Sequence, residues 1–264
     1  MSELYLLEPD WPLPAGVQAF VSTRLGGVSA APYASLNLGL HVDDDAQAVA
    51  QNRALLLTEL EARTGQRHLQ VQWIRQVHGT VVHEARAATA ASVPEADAIH
   101  CRETGLVLAV MTADCLPVLF ASDTGDEIAV AHAGWRGLLA GVLEASAARL
   151  REPSAALAWL GPAIGPCHFE VGDEVRAAFL NAATAAEAAA TKAAFQNAPE
   201  PGKWFADLYA LARLRLARAG LTRVYGAPRC TVCEARLWYS YRGEGRTGRF
   251  ASLIVLAPVP KEMS

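Results

Sequence analysis

The sequence predicts an α/β protein formed by one domain over residues 1–264. Runs with strand character alternate with runs of helical periodicity along the whole chain. No shift in composition marks a linker between two domains, and no internal repeat is present. Apolar residues make up 52% of the 264 residues and charged residues 19%, which is typical of a globular protein with a sizeable core.

The N-terminal half begins with a predicted strand and a long helix, in which Val49, Leu56 and Leu60 recur at helical spacing. Farther on, an almost continuous apolar run is interrupted only between Thr112 and Cys115, which predicts two strands buried on both faces. The predicted elements are a strand at 17–23, a helix at 45–63, strands at 71–74 and 80–83, and the two strands within 105–120.

The C-terminal half continues the alternation. Gly220 directly follows a helical run and is a good residue to end that helix. The Ala-rich stretch 182–194 fits either a continued helix or a mobile surface segment. The predicted elements are strands at 127–132 and 157–161, helices at 138–150, 172–183 and 205–219, and strands at 238–241 and 250–256.

Charge and apolar content exclude several classes of protein. The net charge of −4 argues against a nucleic-acid binder, which would usually carry a basic stripe. The apolar stretch at 106–111 is far shorter than the ~20 residues that span a bilayer. Residues 1–14 lack the basic start and apolar core of a signal peptide, and five scattered cysteines do not suggest disulfides. We therefore expect a cytoplasmic protein with reduced thiols and no membrane partner.

Three segments place a metal-capable side chain beside a predicted strand end. They contain His78, Cys115 and His132, separated by 37 and 17 residues. Catalytic zinc commonly has three protein ligands and one open position, and it accepts imidazole nitrogen together with thiolate. The separations are too long for local ligand pairs, so spacing alone does not establish a site.

Six motifs run in order over nearly the whole chain and identify a resemblance to the YfiH-like family, also called the laccase-domain or polyphenol-oxidase family. Members of this family are described as purine nucleoside phosphorylases. The motifs are Arg75-Gln-Val-His-Gly, Ala96-Asp-Ala, Thr112-Ala-Asp-Cys-Leu-Pro-Val, Ala131-His-Ala-Gly-Trp-Arg-Gly, Gly161-Pro-Ala-Ile-Gly-Pro-Cys, and Ser240-Tyr-Arg with Thr247-Gly-Arg.

The resemblance implies a zinc enzyme with His78, Cys115 and His132 as metal ligands. It also implies a mixed α/β (α+β) fold with a layered β-sheet core flanked by helices, grouped with the catalytic domain of cytotoxic necrotizing factor. The implied activity is phosphorolysis of adenosine, inosine and methylthioadenosine, together with adenosine deamination. A nucleoside and phosphate are then the expected partners, and the chain is expected to be a monomer or a weak homodimer.

Further polar residues fall in or beside these motifs and are candidates for catalysis or substrate binding. Asp114 precedes Cys115, and a carboxylate near a metal can orient ligands or move protons, so Asp114, Cys115 and His132 form the candidate catalytic set. A loop with three arginines at 242, 246 and 249 could bind one phosphate group. The candidate substrate contacts are Gln76 and Arg242 together with Arg24 and Asn37. The last two lie in N-terminal patterns that also match the family, Ser22-Thr-Arg-Leu-Gly-Gly and Ser35-Leu-Asn-Leu-Gly, and turn-forming roles are equally open for them.

The remaining cysteines are expected to have structural roles. Cys230 and Cys233 have Cys-x-x-Cys spacing, but no second pair of this kind completes four ligands, so packing is the preferred interpretation. Cys167 and His168 are adjacent, and neighbours on an extended strand point to opposite faces. Cys101 is expected in the core.

Two other enzyme classes compete with the nucleoside enzyme. A cysteine amide hydrolase, with Cys115 as nucleophile and His132 as base, would suit the fold of cytotoxic necrotizing factor and a peptidoglycan precursor as substrate. A polyphenol oxidase would suit the older family name, and Met111 could complete a blue-copper ligand set. The seven histidines are too few for a multicopper cluster, so this alternative is disfavoured.

Overall fold

Two β-sheets stacked face to face form the centre of the computed structural model, which describes residues 4–258. The strands, in chain order, are β1 (Leu6–Leu7), β2 (Val17–Ser22), β3 (Gln70–Gln72), β4 (Val82–Glu84), β5 (Ala98–Cys101), β6 (Leu106–Thr112), β7 (Leu116–Ala121), β8 (Ile128–Ala133), β9 (Leu157–Leu160), β10 (Glu170–Gly172), β11 (Phe195–Asn197), β12 (Lys203–Ala206), β13 (Arg223–Tyr225) and β14 (Phe250–Leu256).

Seven α-helices accompany these strands in the described residues. Within this part of the chain, no helix is long and apolar enough to cross a membrane. The helices are α1 (Ala46–Thr64), α2 (Trp135–Ala140), α3 (Val142–Ala147), α4 (Asp173–Ala182), α5 (Ala188–Ala193), α6 (Leu208–Arg218) and α7 (Tyr241–Glu244).

The first sheet has the strand order β1-β2-β14-β6-β3 and the second has the order β13-β9-β7-β8-β5-β4. Both sheets are mixed, because β3 pairs in parallel with β6, and β4 and β13 pair in parallel with β5 and β9. A small third sheet, β10-β12-β11, lies outside these two. The observed sheets agree with the mixed α/β fold that the resemblance implied.

Three apolar clusters define the layers. Leu108 and Phe250 of the first sheet share one cluster with Leu119 and Val130 of the second, so the two sheets bury each other's inner faces. On the outer side of the first sheet, α1 contributes Leu56 and Leu60 to a second cluster. The third cluster joins the outer face of the second sheet to α2, α3 and α6. The result is a helix–sheet–sheet–helix arrangement.

The polar interruption between Thr112 and Cys115 is the point where the chain passes from one sheet to the other. β6 ends at Thr112 in the first sheet, and β7 begins at Leu116 in the second. Both strands are completely buried, as the apolar run predicted. Cys115 is thereby fixed at a corner between the two sheets.

Some predicted elements differ from the structure. The single helix predicted at 138–150 is two short helices, because Gly141 adopts a left-handed φ of 101° that ends α2. The strand predicted at 238–241 is wrong, since Ser240 caps the short helix α7. The helix predicted to begin at 205 begins at Leu208, where Asp207 accepts hydrogen bonds from two backbone N–H groups. The Ala-rich stretch contains a separate helix, α5.

Candidate metal centre

His78, Cys115 and His132 lie close together at the corner where the chain passes from the first sheet to the second. His132 lies in β8, opposite Pro117 of β7, and Cys115 immediately precedes β7. His78 lies in the loop after β3, with a left-handed φ of 61°. One ligand atom from each of the three side chains lies within 4.8 Å of the others. The fold therefore assembles these three groups from distant parts of the sequence.

Asp97 connects two of the three groups and is completely buried. Its carboxylate accepts a hydrogen bond from Nδ1 of His132 at 2.9 Å and from the backbone N–H groups of Val77, His78 and Gly79. Although burial opposes it, the hydrogen bond from His132 holds the pKa of Asp97 below its ordinary value. The hydrogen bond with Nδ1 leaves Nε2 of His132 available to a metal. The hydrogen bonds from the three backbone N–H groups hold the His78 loop beside it.

The separation within this group fits a tetrahedral metal ion. Sγ of Cys115 lies 3.7 Å from Nε2 of His78. Zinc–sulfur and zinc–nitrogen bonds of ordinary length at a tetrahedral angle place such atoms about 3.6 Å apart. Two imidazoles and one thiolate are also the donor types that zinc accepts in catalytic sites. The residues present therefore fit a zinc ion held by three protein ligands.

Cys115 and His132 also interact electrostatically. Burial disfavours the thiolate, but the charge of His132 and hydrogen bonds from both histidines lower the pKa of Cys115 to about 6. Burial likewise opposes the charged imidazole, whereas the Cys115 thiolate and Asp97 raise the pKa of His132 to about 9. The protein thus stabilises Cys115 in its thiolate form, which is the form that binds a metal or acts as a nucleophile.

Gly134 allows the histidine loop to approach the β8–α2 corner. A Cβ atom at this position would lie 2.6 Å from Cδ2 of His78 and 3.0 Å from Sγ of Cys115. The backbone of Gly134 has φ −60° and ψ 155°, which other residues adopt freely. Space for the two ligands, rather than backbone conformation, therefore explains the glycine in this motif.

The three groups face a cavity with a volume of about 510 Å3. A second cavity of similar volume, about 560 Å3, has no histidine, cysteine or carboxylate in its wall. Of these two cavities, the one beside the metal-capable group is lined by histidine and cysteine side chains. Besides those three groups, its wall is formed by His41, Gln76, Met111, Thr112, Ala113, Trp135, Arg136, Phe169, Tyr241, Arg242 and Arg249.

Two of the four predicted substrate contacts lie in this wall. The amide of Gln76 donates to the carbonyl of Met111 and accepts from its N–H, which fixes the side chain at the cavity edge. The guanidinium of Arg242 donates to the carbonyls of His168 and Glu170 and lies 5.6 Å from the centre of the Phe169 ring. Both residues remain candidate substrate contacts.

Arg24 and Asn37 do not line the cavity. Arg24 binds backbone carbonyls and Glu244, and it stacks over Tyr239 at 4.6 Å. Asn37 is buried and accepts a hydrogen bond from the backbone N–H of Arg249. Their observed contacts tie the N-terminal segment to the segment that carries the arginine loop, and their predicted role as substrate contacts stays a prediction.

Asp114 also lies outside the cavity wall, although it precedes Cys115. Its carboxylate accepts hydrogen bonds from the hydroxyl groups of Thr231 and Ser240 and from the backbone N–H of Arg242. These contacts hold the segment that carries Arg242 against the Cys115 corner. The catalytic role expected for Asp114 stays a prediction.

Several residues of the site were not predicted from the sequence. Asp97 is the most important of them, and the motif Ala96-Asp-Ala was the available sign of it. Arg136 stacks over Trp135 at 4.5 Å, and both line the cavity; they belong to the same motif as His132 and begin α2 directly after β8. Nothing in the local sequence indicated that Phe169, which is far along the chain, would reach the same cavity.

The fold and the site together define a class of α/β protein with two stacked sheets and a His-Cys-His group beside an arginine-containing cavity. Residues 18–257 match the model of the family described as multi-copper polyphenol oxidoreductase laccase. The chain therefore belongs to this family, which includes the YfiH proteins.

Relatives in curated collections carry a different functional name. The chain is 51% identical over 251 residues to a purine nucleoside phosphorylase of Pseudomonas aeruginosa, covering 95% of this chain and 98% of that protein. It is 48% identical over 252 residues to the purine nucleoside phosphorylase YfiH of Escherichia coli, with the same coverage of both chains. These names describe the relatives.

Solved structures show the same fold. A Neisseria meningitidis protein aligns with a TM-score of 0.87 and 46% identity, covering 96% of this chain and 99% of that chain. YlmD of Geobacillus stearothermophilus aligns with a TM-score of 0.82 and 33% identity over 92% of this chain and 93% of that chain.

Proposed function

We propose that this protein is a zinc-dependent purine nucleoside phosphorylase that acts on adenosine, inosine and methylthioadenosine and also deaminates adenosine. The observation that carries the proposal is the His-Cys-His group, whose three ligands leave one metal position for the cavity. The names of the relatives support the phosphorolysis of a purine nucleoside. A nucleoside and phosphate are the proposed partners.

The metal would be held by His78, Cys115 and His132, with Asp97 orienting His132. When bound, zinc supplies a Lewis acid and lowers the pKa of a coordinated water to about 7. The Asp97 carboxylate accepts the hydrogen bond from Nδ1–H of His132, so the lone pair on Nε2 would bind the metal. Cys115 in its thiolate form would likewise act as a metal ligand.

The cavity has groups for both substrates of phosphorolysis. Arg136, Arg242 and Arg249 line it and can bind phosphate oxygens through paired N–H donors. Trp135, Phe169 and Tyr241 offer aromatic faces to a purine. The volume of about 510 Å3 lies within the range of roughly 300–1,000 Å3 found for small-molecule sites. The three arginines would neutralise phosphate while it attacks C1′ of the ribose.

A cysteine amide hydrolase is the alternative that a specific observation favours. The lowered pKa of Cys115 and the position of its Sγ within 4.8 Å of a His132 ring nitrogen also describe an activated nucleophile and its base. The two functions differ in their need for metal, because a cysteine nucleophile acts without one.

The test is to incubate the protein with adenosine and phosphate and to identify the products by mass spectrometry. We expect adenine and ribose 1-phosphate, and slow formation of inosine when phosphate is omitted. Cys115→Ser should abolish both reactions, because both depend on the metal ligand. Cys101→Ala removes a cysteine outside the cavity and should retain both reactions.

Chelation separates the proposal from the alternative. A metal-dependent phosphorylase should lose activity on chelation and regain it when zinc is added. If chelated protein kept full activity on an amide substrate while adenosine stayed unchanged, the nucleoside proposal would be abandoned. Activity that returned only with copper, together with oxidation of a phenol, would favour the polyphenol oxidase instead.

A further inference from the structure

A second group of metal-capable side chains lies outside the candidate centre described above. Cys167 and His168 follow β9, whereas Cys230 and Cys233 follow β13. One ligand atom from each of these four residues lies within 4.8 Å of the others. The fold thus supplies the two partners that the Cys-x-x-Cys pair lacks in its local sequence.

The distances within this group match tetrahedral coordination. Nδ1 of His168 lies 3.2, 3.6 and 3.5 Å from Sγ of Cys167, Cys230 and Cys233. The Sγ atoms of Cys167 and Cys233 are 3.5 Å apart. Ordinary zinc bond lengths at a tetrahedral angle predict about 3.6 Å between sulfur and nitrogen and about 3.8 Å between two sulfurs. One nitrogen and three sulfurs therefore surround a single point.

The backbone holds the two segments in this arrangement. Ala163 and Cys230 form a parallel β-bridge, and the N–H of Thr231 donates to the carbonyl of Ala163 at 3.0 Å. Gly165 lies against the group, and a Cβ atom there would be 3.0 Å from Cβ of Cys230 and 3.3 Å from Sγ of Cys167. The absence of a side chain at 165 therefore lets the two segments approach closely.

We propose that Cys167, His168, Cys230 and Cys233 bind a second zinc ion in a closed structural site. Three thiolates and one imidazole form a Cys3His set, which is a common composition for structural zinc. Four protein ligands leave no position for water or substrate, unlike the His-Cys-His group. Tetrahedral thiolate-rich sites select zinc over magnesium or calcium, which prefer oxygen ligands.

The site would stabilise one wall of the cavity. Phe169, which directly follows His168, lines the cavity. Arg242 donates to the carbonyls of His168 and Glu170 at 3.3 and 3.0 Å. A zinc ion at the Cys3His group would therefore fix the backbone that positions both Phe169 and Arg242. Zinc binding at the Cys3His group does not depend on which reaction the cavity supports.

The first experiment measures zinc by elemental analysis in protein purified without a metal-affinity tag. We expect two zinc ions per chain, one for each group of ligands. Cys167→Ser and Cys233→Ser alter exposed residues and should each lower the content to one. Cys115→Ser should also lower it to one, through the other group. Cys101→Ala, which changes a cysteine outside both groups, should keep two.

A second measurement uses the unaltered protein, so it does not depend on the folding of a variant. X-ray absorption at the zinc edge should give an average of two sulfur ligands per zinc if both groups are filled, and one if only the His-Cys-His group is filled. One zinc per chain with one sulfur ligand would overturn the proposal.

The competing arrangement is a disulfide between Cys167 and Cys233. Alkylation in denaturant and chelator, without reductant, should modify all five cysteines if the group binds zinc. Modification of only three would show a disulfide and would also overturn the proposal. If the unaltered protein contained two zinc ions but had no phosphorylase activity, only the proposed function would be contradicted.

Discussion

At the scale of single residues, Asp97 links the two histidines of the candidate centre. Its carboxylate binds the ring of His132 and the backbone of His78 at the same time, so one buried charge sets two ligands. Metal-binding imidazoles commonly donate their second N–H to a carboxylate, and loss of that partner weakens the metal site. Asp97 is therefore a positioning residue of the centre.

Asp97→Asn should lower zinc affinity of the His-Cys-His group by about 10–100-fold, because the amide is a weaker acceptor for the imidazole and for the loop amides. Competition with a chromophoric chelator measures this change. Asp126→Asn, at an exposed turn paired with Arg151, is the matched control and should leave the affinity unchanged. Equal affinity in Asp97→Asn and the unaltered protein would contradict the positioning role.

The candidate site was only partly predictable from single residues. His78, Cys115 and His132 could be proposed because the family motifs contain them, and the structure brings them together. Arg24 and Asn37 belong to equally recognisable motifs, yet their side chains support neighbouring segments. A family motif contains residues that line the cavity as well as residues that contact neighbouring segments. The contacts in the structure are needed to tell these two kinds apart.

At the scale of secondary-structure elements, strands buried on both faces were the easiest to predict. β6 and β7 have continuous apolar sequences, and their boundaries follow the polar interruption before Cys115. β10, β11 and β12 were missed, because each has only three or four residues and is only partly buried. The strand predicted at 238–241 failed because Trp238 and Tyr239 are buried by tertiary packing rather than by sheet pairing.

The corner between β8 and α2 depends on the absence of a side chain at Gly134. Gly134→Ala should displace His78, because the added methyl group would overlap the imidazole. The affinity of the His-Cys-His group for zinc should therefore fall by at least about tenfold. The backbone conformation there suits alanine, so the melting temperature of the metal-free protein should change little. Chelator competition and thermal unfolding measure the two quantities.

Gly243→Ala serves as the control for this corner, since its added Cβ would have Ser240 Oγ as its nearest neighbour at 3.3 Å and lies away from the ligands. Its zinc affinity should equal that of the unaltered protein. If Gly134→Ala bound zinc normally, the close approach of the loop to the corner would not be a requirement for the metal.

At the scale of the whole molecule, distant parts of the chain share each layer. The last strand, β14, lies between β2 near the start of the chain and β6 near its middle. Both sheets contribute to one buried apolar cluster between them. The His-Cys-His group lies where the chain crosses from one sheet to the other, so the site depends on both sheets being in place.

This connectivity predicts that the protein unfolds in one cooperative transition, as expected for the single domain proposed from the sequence. We expect neither sheet to be stable alone, because each would then expose the inner apolar face that it buries against the other. Urea unfolding followed by far-ultraviolet circular dichroism and by tryptophan fluorescence should give coincident curves.

Zinc must be held in constant excess in both measurements, since metal binding itself shifts the equilibrium. Of the six tryptophans, Trp11, Trp159 and Trp238 lie in the inter-sheet cluster, so part of the fluorescence signal reports the packing of the two sheets. Two separated transitions, or a protease-resistant fragment containing only one of the sheets, would show that the chain consists of two independently folded parts.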